Sequence, residues 1–146
     1  MIKKIFKGAV IILVILVGLA MCSGPTKESY SEQIEGNIEQ VNTSMRVINM
    51  HVEDFNKGKM DANKTASKVE LAKRKIFQEL ENLPEQDGKA TNLTRKLINY
   101  GYDWAGNIQY FFEAGDDSVV EKNEELTIKM AQTILEIEKE LENIED

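Results

Sequence analysis

The chain has 146 residues, of which 42% are hydrophobic and 29% charged, with two prolines and one cysteine. Such a chain builds a single modest core; an intramolecular disulfide is excluded, and so is compositional disorder of the whole. The formal charge of −7 is uneven: after Gly24 the sequence holds 15 Lys and Arg against 25 Asp and Glu, a net of −10, which repels nucleic acid and anionic headgroups.

Residues 1–24 read as a membrane-targeting segment. Lys3, Lys4 and Lys7 precede an uncharged run from Gly8 to Met21. That order keeps the lysines cytoplasmic and carries the acidic domain to the extracytoplasmic side of the cell membrane. Leu19-Ala20-Met21-Cys22 followed by Ser23 resembles the lipobox of prokaryotic lipoproteins. The resemblance covers about a sixth of the chain. It implies that Cys22 is the lipidation site, diacylated as a new N-terminus, and it carries no activity over to the domain. Met21 departs from the pattern, which has a small residue there. Two other outcomes stay open. Gly8 to Gly24 is 17 residues, at the short end of what spans about 30 Å of hydrocarbon as an uncleaved transmembrane helix. Cleavage and secretion is the third.

Residues 25–28 form a tether, and the domain at 29–146 divides into four helical stretches. In the first, 29–56, the apolar positions Ile34, Ile38, Val41, Met45, Ile48, Val52 and Phe55 recur at 4-3-4-3-4-3, a coiled-coil-like heptad seam. Gly58 is placed to end it. The second, 61–83, begins at an Asp61 N-cap and presents Ala62, Ala66, Val69, Ala72, Ile76, Leu80 and Leu83 before Pro84. The third, 89–114, carries Leu93, Leu97, Tyr100, Trp104, Ile108 and Phe111. Gly101 and Gly106 inside it mark a bend or close packing, since each costs about 1 kcal/mol relative to Ala in a helix. The fourth, 118–144, opens on a Ser118–Glu121 capping box and carries Met130, Ile134, Ile137, Leu141 and Ile144. No stretch alternates with period two, so no strand is predicted. Short connections make successive helices antiparallel, which predicts an all-α, up-down-up-down four-helix bundle. A splayed three-helix unit, or an extended coiled coil completed by oligomerisation, is the alternative; the oligomeric state is left open.

No constellation for catalysis stands out, and an enzyme is not expected. His51 is the sole histidine. A bundle di-iron site needs Glu-x-x-His on two helices, and Ile48 occupies the glutamate's place here; zinc needs cysteines or several histidines. No metal or cofactor is therefore expected. Asn42-Thr-Ser44, Asn63-Lys-Thr65 and Asn92-Leu-Thr94 match the glycosylation sequon. Tyr102, Tyr110 and Phe112 fall off the apolar stripe of the third helix; core packing is the default for this aromatic group, and a partly exposed interaction surface or an apolar ligand groove is the functional alternative. The resulting expectation is a membrane-tethered helical bundle that contacts an envelope protein. A bundle domain that senses a small ligand is the alternative.

Overall fold

The computed structural model describes residues 29–145. The targeting segment, Cys22 and the tether lie outside the described residues. The described part is all-helical: α1 is Tyr30–Asn56, α2 Ala62–Gln78, α3 Lys89–Ala114 and α4 Val119–Glu145. Side-chain pairs set their directions. Asn37 in early α1 donates to Glu79 at the end of α2. Lys73 reaches Gln109 and Phe77 meets Tyr102, running α2 against α3. Lys89 reaches Glu140 and Asn107 donates to Asn123, running α3 against α4. Successive helices thus alternate in direction and form a four-helix bundle.

The heptad seams meet in one core. Ile34, Val41, Ile48, Val69, Ile76, Leu97, Trp104, Ile108, Met130 and Ile137 are all at most 2% exposed. Removing each of the aliphatic ones from water contributes about 1.5–3 kcal/mol. The central helix is α3, which packs on all three others, while α4 approaches α1 and α2 only marginally. Gly101 lies where all four helices meet. A β-carbon there would stand 3.4 Å from Val41 Cγ1, 3.4 Å from Ile76 Cγ2 and 3.9 Å from Met130 Sδ. This is close packing within an unbroken helix.

Helix ends follow the local chemistry, with three differences from expectation. Asp61 caps α2 through the Lys64 amide, and Gly58 (φ 72°) and Gly115 (φ 68°) take the left-handed turns after α1 and α3. The second helix ends at Gln78 rather than Leu83. From Glu79 to Asn82 each amide bonds the carbonyl three residues back, a 3₁₀-like tightening ahead of Pro84, which disfavours helical backbone at the residue before it. The Ser118 amide and hydroxyl turn back to Asp116 and hold its carboxyl below the usual range. The capping box that forms is at α1 instead, where the Glu32 amide donates to Ser29 Oγ and the Ser29 amide to Glu32 Oε2. The third difference is Ile144, which is 53% exposed beyond the end of the α4 stripe.

The N-terminus of α3 is capped from another helix. Its N-cap, Gly88, has no side chain to offer. Tyr30 Oη accepts from the Thr91 amide at 3.0 Å and pairs with Thr91 Oγ1 at 2.8 Å, while Thr91 Oγ1 donates to the Gln86 carbonyl. The tyrosine hydroxyl thus takes the place of a capping oxygen. A β-carbon on Gly88 would lie 2.8 Å from that hydroxyl, so the glycine makes room for it.

This arrangement predicts a change of sign in urea titrations. Tyr30→Phe costs about 1 kcal/mol. Gly88→Ser destabilises the parent chain by collision, yet stabilises the Tyr30→Phe chain by supplying its own cap. Equal destabilisation in both backgrounds would remove the tyrosine from the capping role.

Candidate interaction surface

The amphipathic helices bury their apolar stripes, so large apolar side chains left outside are the informative residues. On the outer side of α2 and α3, Phe77 is 50% exposed. Its ring meets Tyr102 at 5.2 Å between centroids, tilted 51°. Lys73 Nζ lies 5.2 Å from the centre of the Tyr102 ring and donates to Gln109 Oε1 at 2.7 Å. Gln109 in turn donates to Glu113. Two turns along α3 from Tyr102, past Gly106, Tyr110 is 49% exposed. An aromatic strip with one cation held against it therefore runs along the outside of the bundle.

Phe112 does not belong to that strip. It is 7% exposed, edge-on to Phe55 at 4.9 Å and to Phe111 at 5.2 Å. The reading of Phe112 as partly exposed is corrected: α3 is covered by three neighbours, and its buried arc is wider than a two-sided stripe. Phe77 takes the place that Phe112 vacates. Its signal in the sequence was the one that singled out Tyr110, an aromatic off the apolar stripe of its helix.

An open groove of about 420 Å³ runs beside Tyr102 between α3 and α4, with Asn107, Lys122, Glu125 and Lys129 on its walls. With Asp103 on the α3 side and Lys122, Glu125 and Lys129 on the α4 side, the walls carry both signs of charge, so no single charge of ligand is selected.

His51 is half-buried on α1. Its Nδ1 is buried and has no hydrogen-bond partner among the described residues. Burial lowers its pKa from the ordinary 6.5; Lys68 adds to the lowering and Asp54 partly offsets it. Asn42 is 8% exposed, with Oδ1 buried and without a partner among the described residues. Its sequon is therefore closed in the folded chain, whereas Asn63 and Asn92 are exposed. Among the described residues no group of three or more His, Cys, Asp or Glu is arranged to hold a metal ion, and no helix is long and apolar enough to cross a membrane.

Compared with protein-family models, with the curated proteins and with the solved structures, the chain matches none.

The lowered His51 pKa has a thermodynamic consequence. Below about 6.5 the unfolded chain takes up a proton that the folded chain resists. Stability therefore falls as pH drops through 6.5 toward the folded-state value. Denaturant titrations at pH 7.5 and 5.5 should show a smaller loss for His51→Gln than for the parent chain. Equal losses would mean that His51 titrates alike in both states.

Proposed function

We propose that the chain is a non-enzymatic, membrane-tethered module whose extracytoplasmic helical bundle binds another protein of the cell envelope. The observation that carries this reading is the aromatic strip of Phe77, Tyr102 and Tyr110 on the outside of a bundle whose core is already filled. Aromatic side chains with a polar tip bury large area at small entropic cost, and they dominate the energetics of protein interfaces. The lysine-led apolar run at the N-terminus supports the tether, and the lipobox-like Leu19 to Cys22 supports a lipid as its chemical form. The net negative charge of the domain favours a partner with a cationic surface, and the short stretch between Cys22 and Ser29 keeps the bundle close to the bilayer.

A small-ligand module is the second reading, and the groove beside Tyr102 is what favours it. It would bind in a crevice and not through exposed rings, so Tyr110 separates the two. Tyr110 is absent from the groove wall and belongs to the strip alone.

Crosslinking in the native membrane tests the proposal. The chain should capture one reproducible envelope protein, and the folded double variant Phe77→Ser, Tyr110→Ser should lose it. Capture that persists in that variant, or a melting temperature raised by one small molecule and unaffected by it in the variant Asn107→Ala, contradicts the interaction reading. Intact mass of the parent against Cys22→Ala decides the tether: a diacylated mass that the variant lacks is expected, and an unmodified full-length mass would leave the uncleaved span.

A further inference from the structure

The helices on either side of α3 carry charge of opposite sign. The α2 segment has five Lys and Arg against one Glu, and α4 has eight Glu against three Lys. Both flank α3 and barely touch one another. Among the described residues no ion pair joins α2 to α4.

Each outer face also carries large apolar side chains apart from the core stripe, one on α2 and two on α4. On α2, Lys64, Lys68, Leu71 and Lys75 recur at 4-3-4 spacing, and all four are exposed. Leu71 is 55% exposed at the centre. On α4, Glu124, Ile128, Ala131, Leu135 and Glu138 recur at 4-3-4-3. Ile128 is 54% and Leu135 65% exposed. One face is an apolar knob flanked by cations, and the other an apolar notch flanked by anions. None of Lys64, Lys68, Lys75, Glu124 or Glu138 has an ion-pair partner among the described residues; the α2 cation that does is Arg74, held by Glu70.

We infer that these two faces bind each other between molecules, so that the α2 face of one copy docks on the α4 face of the next. This goes beyond the interaction reading above: it uses faces apart from the aromatic strip, and its partner is a second copy of the chain. The register supports it. With Leu71 seated over Ala131 between Ile128 and Leu135, Lys64 lies seven residues from the centre of one stripe. Glu124 and Glu138 each lie seven residues from the centre of the other. At 1.5 Å per residue these offsets are both about 10.5 Å. Lys64 therefore meets one acid in either helix direction, and Lys75 reaches toward the other from the opposite side. Burial and the neighbouring Glu142 push the Glu138 pKa up, and a lysine arriving there opposes that shift.

Because the two faces differ, the contact is heterologous. Each docked pair still offers one free α2 face and one free α4 face, and the association propagates into chains or closes into rings. A single helix-on-helix contact is small for a stable interface. The association is therefore weak, dependent on concentration, and weakened by salt.

Sedimentation velocity of the full chain in a neutral detergent, taken over a wide concentration range, tests this. The average mass should rise with concentration, and Leu71→Lys should weaken the association by about tenfold or more, the loss of about 1.4 kcal/mol. The α2 reversal (Lys64→Glu, Lys68→Glu, Lys75→Glu) and the α4 reversal (Glu124→Lys, Glu138→Lys) should each be monomeric alone, with far-UV circular dichroism unchanged. Mixed together they should associate again, because the acidic α2 of one now fits the basic α4 of the other. A parent chain that stays monomeric at the highest concentration overturns the inference. So does association that ignores Leu71→Lys and both reversals, which would run through another surface, and so do reversed variants that fail to recombine. If the chain is monomeric but still captures a foreign envelope protein in crosslinking, self-assembly falls alone and the broader interaction reading stands.

Discussion

Where Gly101 lacks a side chain, three helices close on α3 to within ordinary van der Waals distance. Val41 Cγ1 and Ile76 Cγ2 lie 3.4 Å from the missing β-carbon, and Met130 Sδ lies 3.9 Å from it. The spacing of the bundle follows from that point. With α3 central, the seams of α1, α2 and α4 all drain their apolar surface into one core, and Trp104, one turn further along, is buried in it. A glycine in a helix interior is a local cost, and packing on three sides is what offsets it here.

Apolar seams with a seven-residue period are ambiguous about register, since sliding by one heptad matches leucines to leucines. Buried polar groups remove that freedom. Asn123, 4% exposed, accepts from Asn107 at 2.8 Å and donates to the Trp104 carbonyl at 3.1 Å. That locks α4 to the middle of α3. At the other end of α3, Tyr30 and Thr91 tie α1 to its first turn. Asn37 ties α1 to Glu79 at the end of α2. The register is held by a few directional bonds, and the stability by the apolar core around them.

The core stripes were legible because each helix alternates apolar and polar residues with a clear helical period, and the caps at Asp61 and Gly58 because their chemistry is local. What escaped sequence reading depended on neighbours. The first half of the α4 stripe runs through Val119, Asn123 and Thr127, and two polar residues hide it. The hydroxyl of Thr127 is satisfied by its own helix, on the Asn123 carbonyl. Phe112 looked exposed because a helix with two neighbours would expose that angle, and α3 has three. Tyr30 gave no sign of being a cap, since its partner lies 61 residues away. On the surface, Tyr102 and Tyr110 were identifiable as aromatics off the stripe, but their grouping with Phe77 and Lys73 required two helices to be side by side.

The same organisation shapes what the molecule offers outward. Because α3 takes most of its contacts inside, α2 and α4 are left with broad outer faces, and the sequence places opposite charges on them. The whole scheme rests on α3 being held at contact distance by the other three helices around Gly101, and the most direct measurement is the thermal stability of chains altered there. Gly101→Ala should be as stable as the parent or more so, because a methyl group fits the space and the helix gains up to about 1 kcal/mol. Gly101→Leu should lose about 1–3 kcal/mol by overpacking against Val41, Ile76 and Met130. A leucine variant that melts no lower than the parent would contradict the convergence of the four helices at this residue.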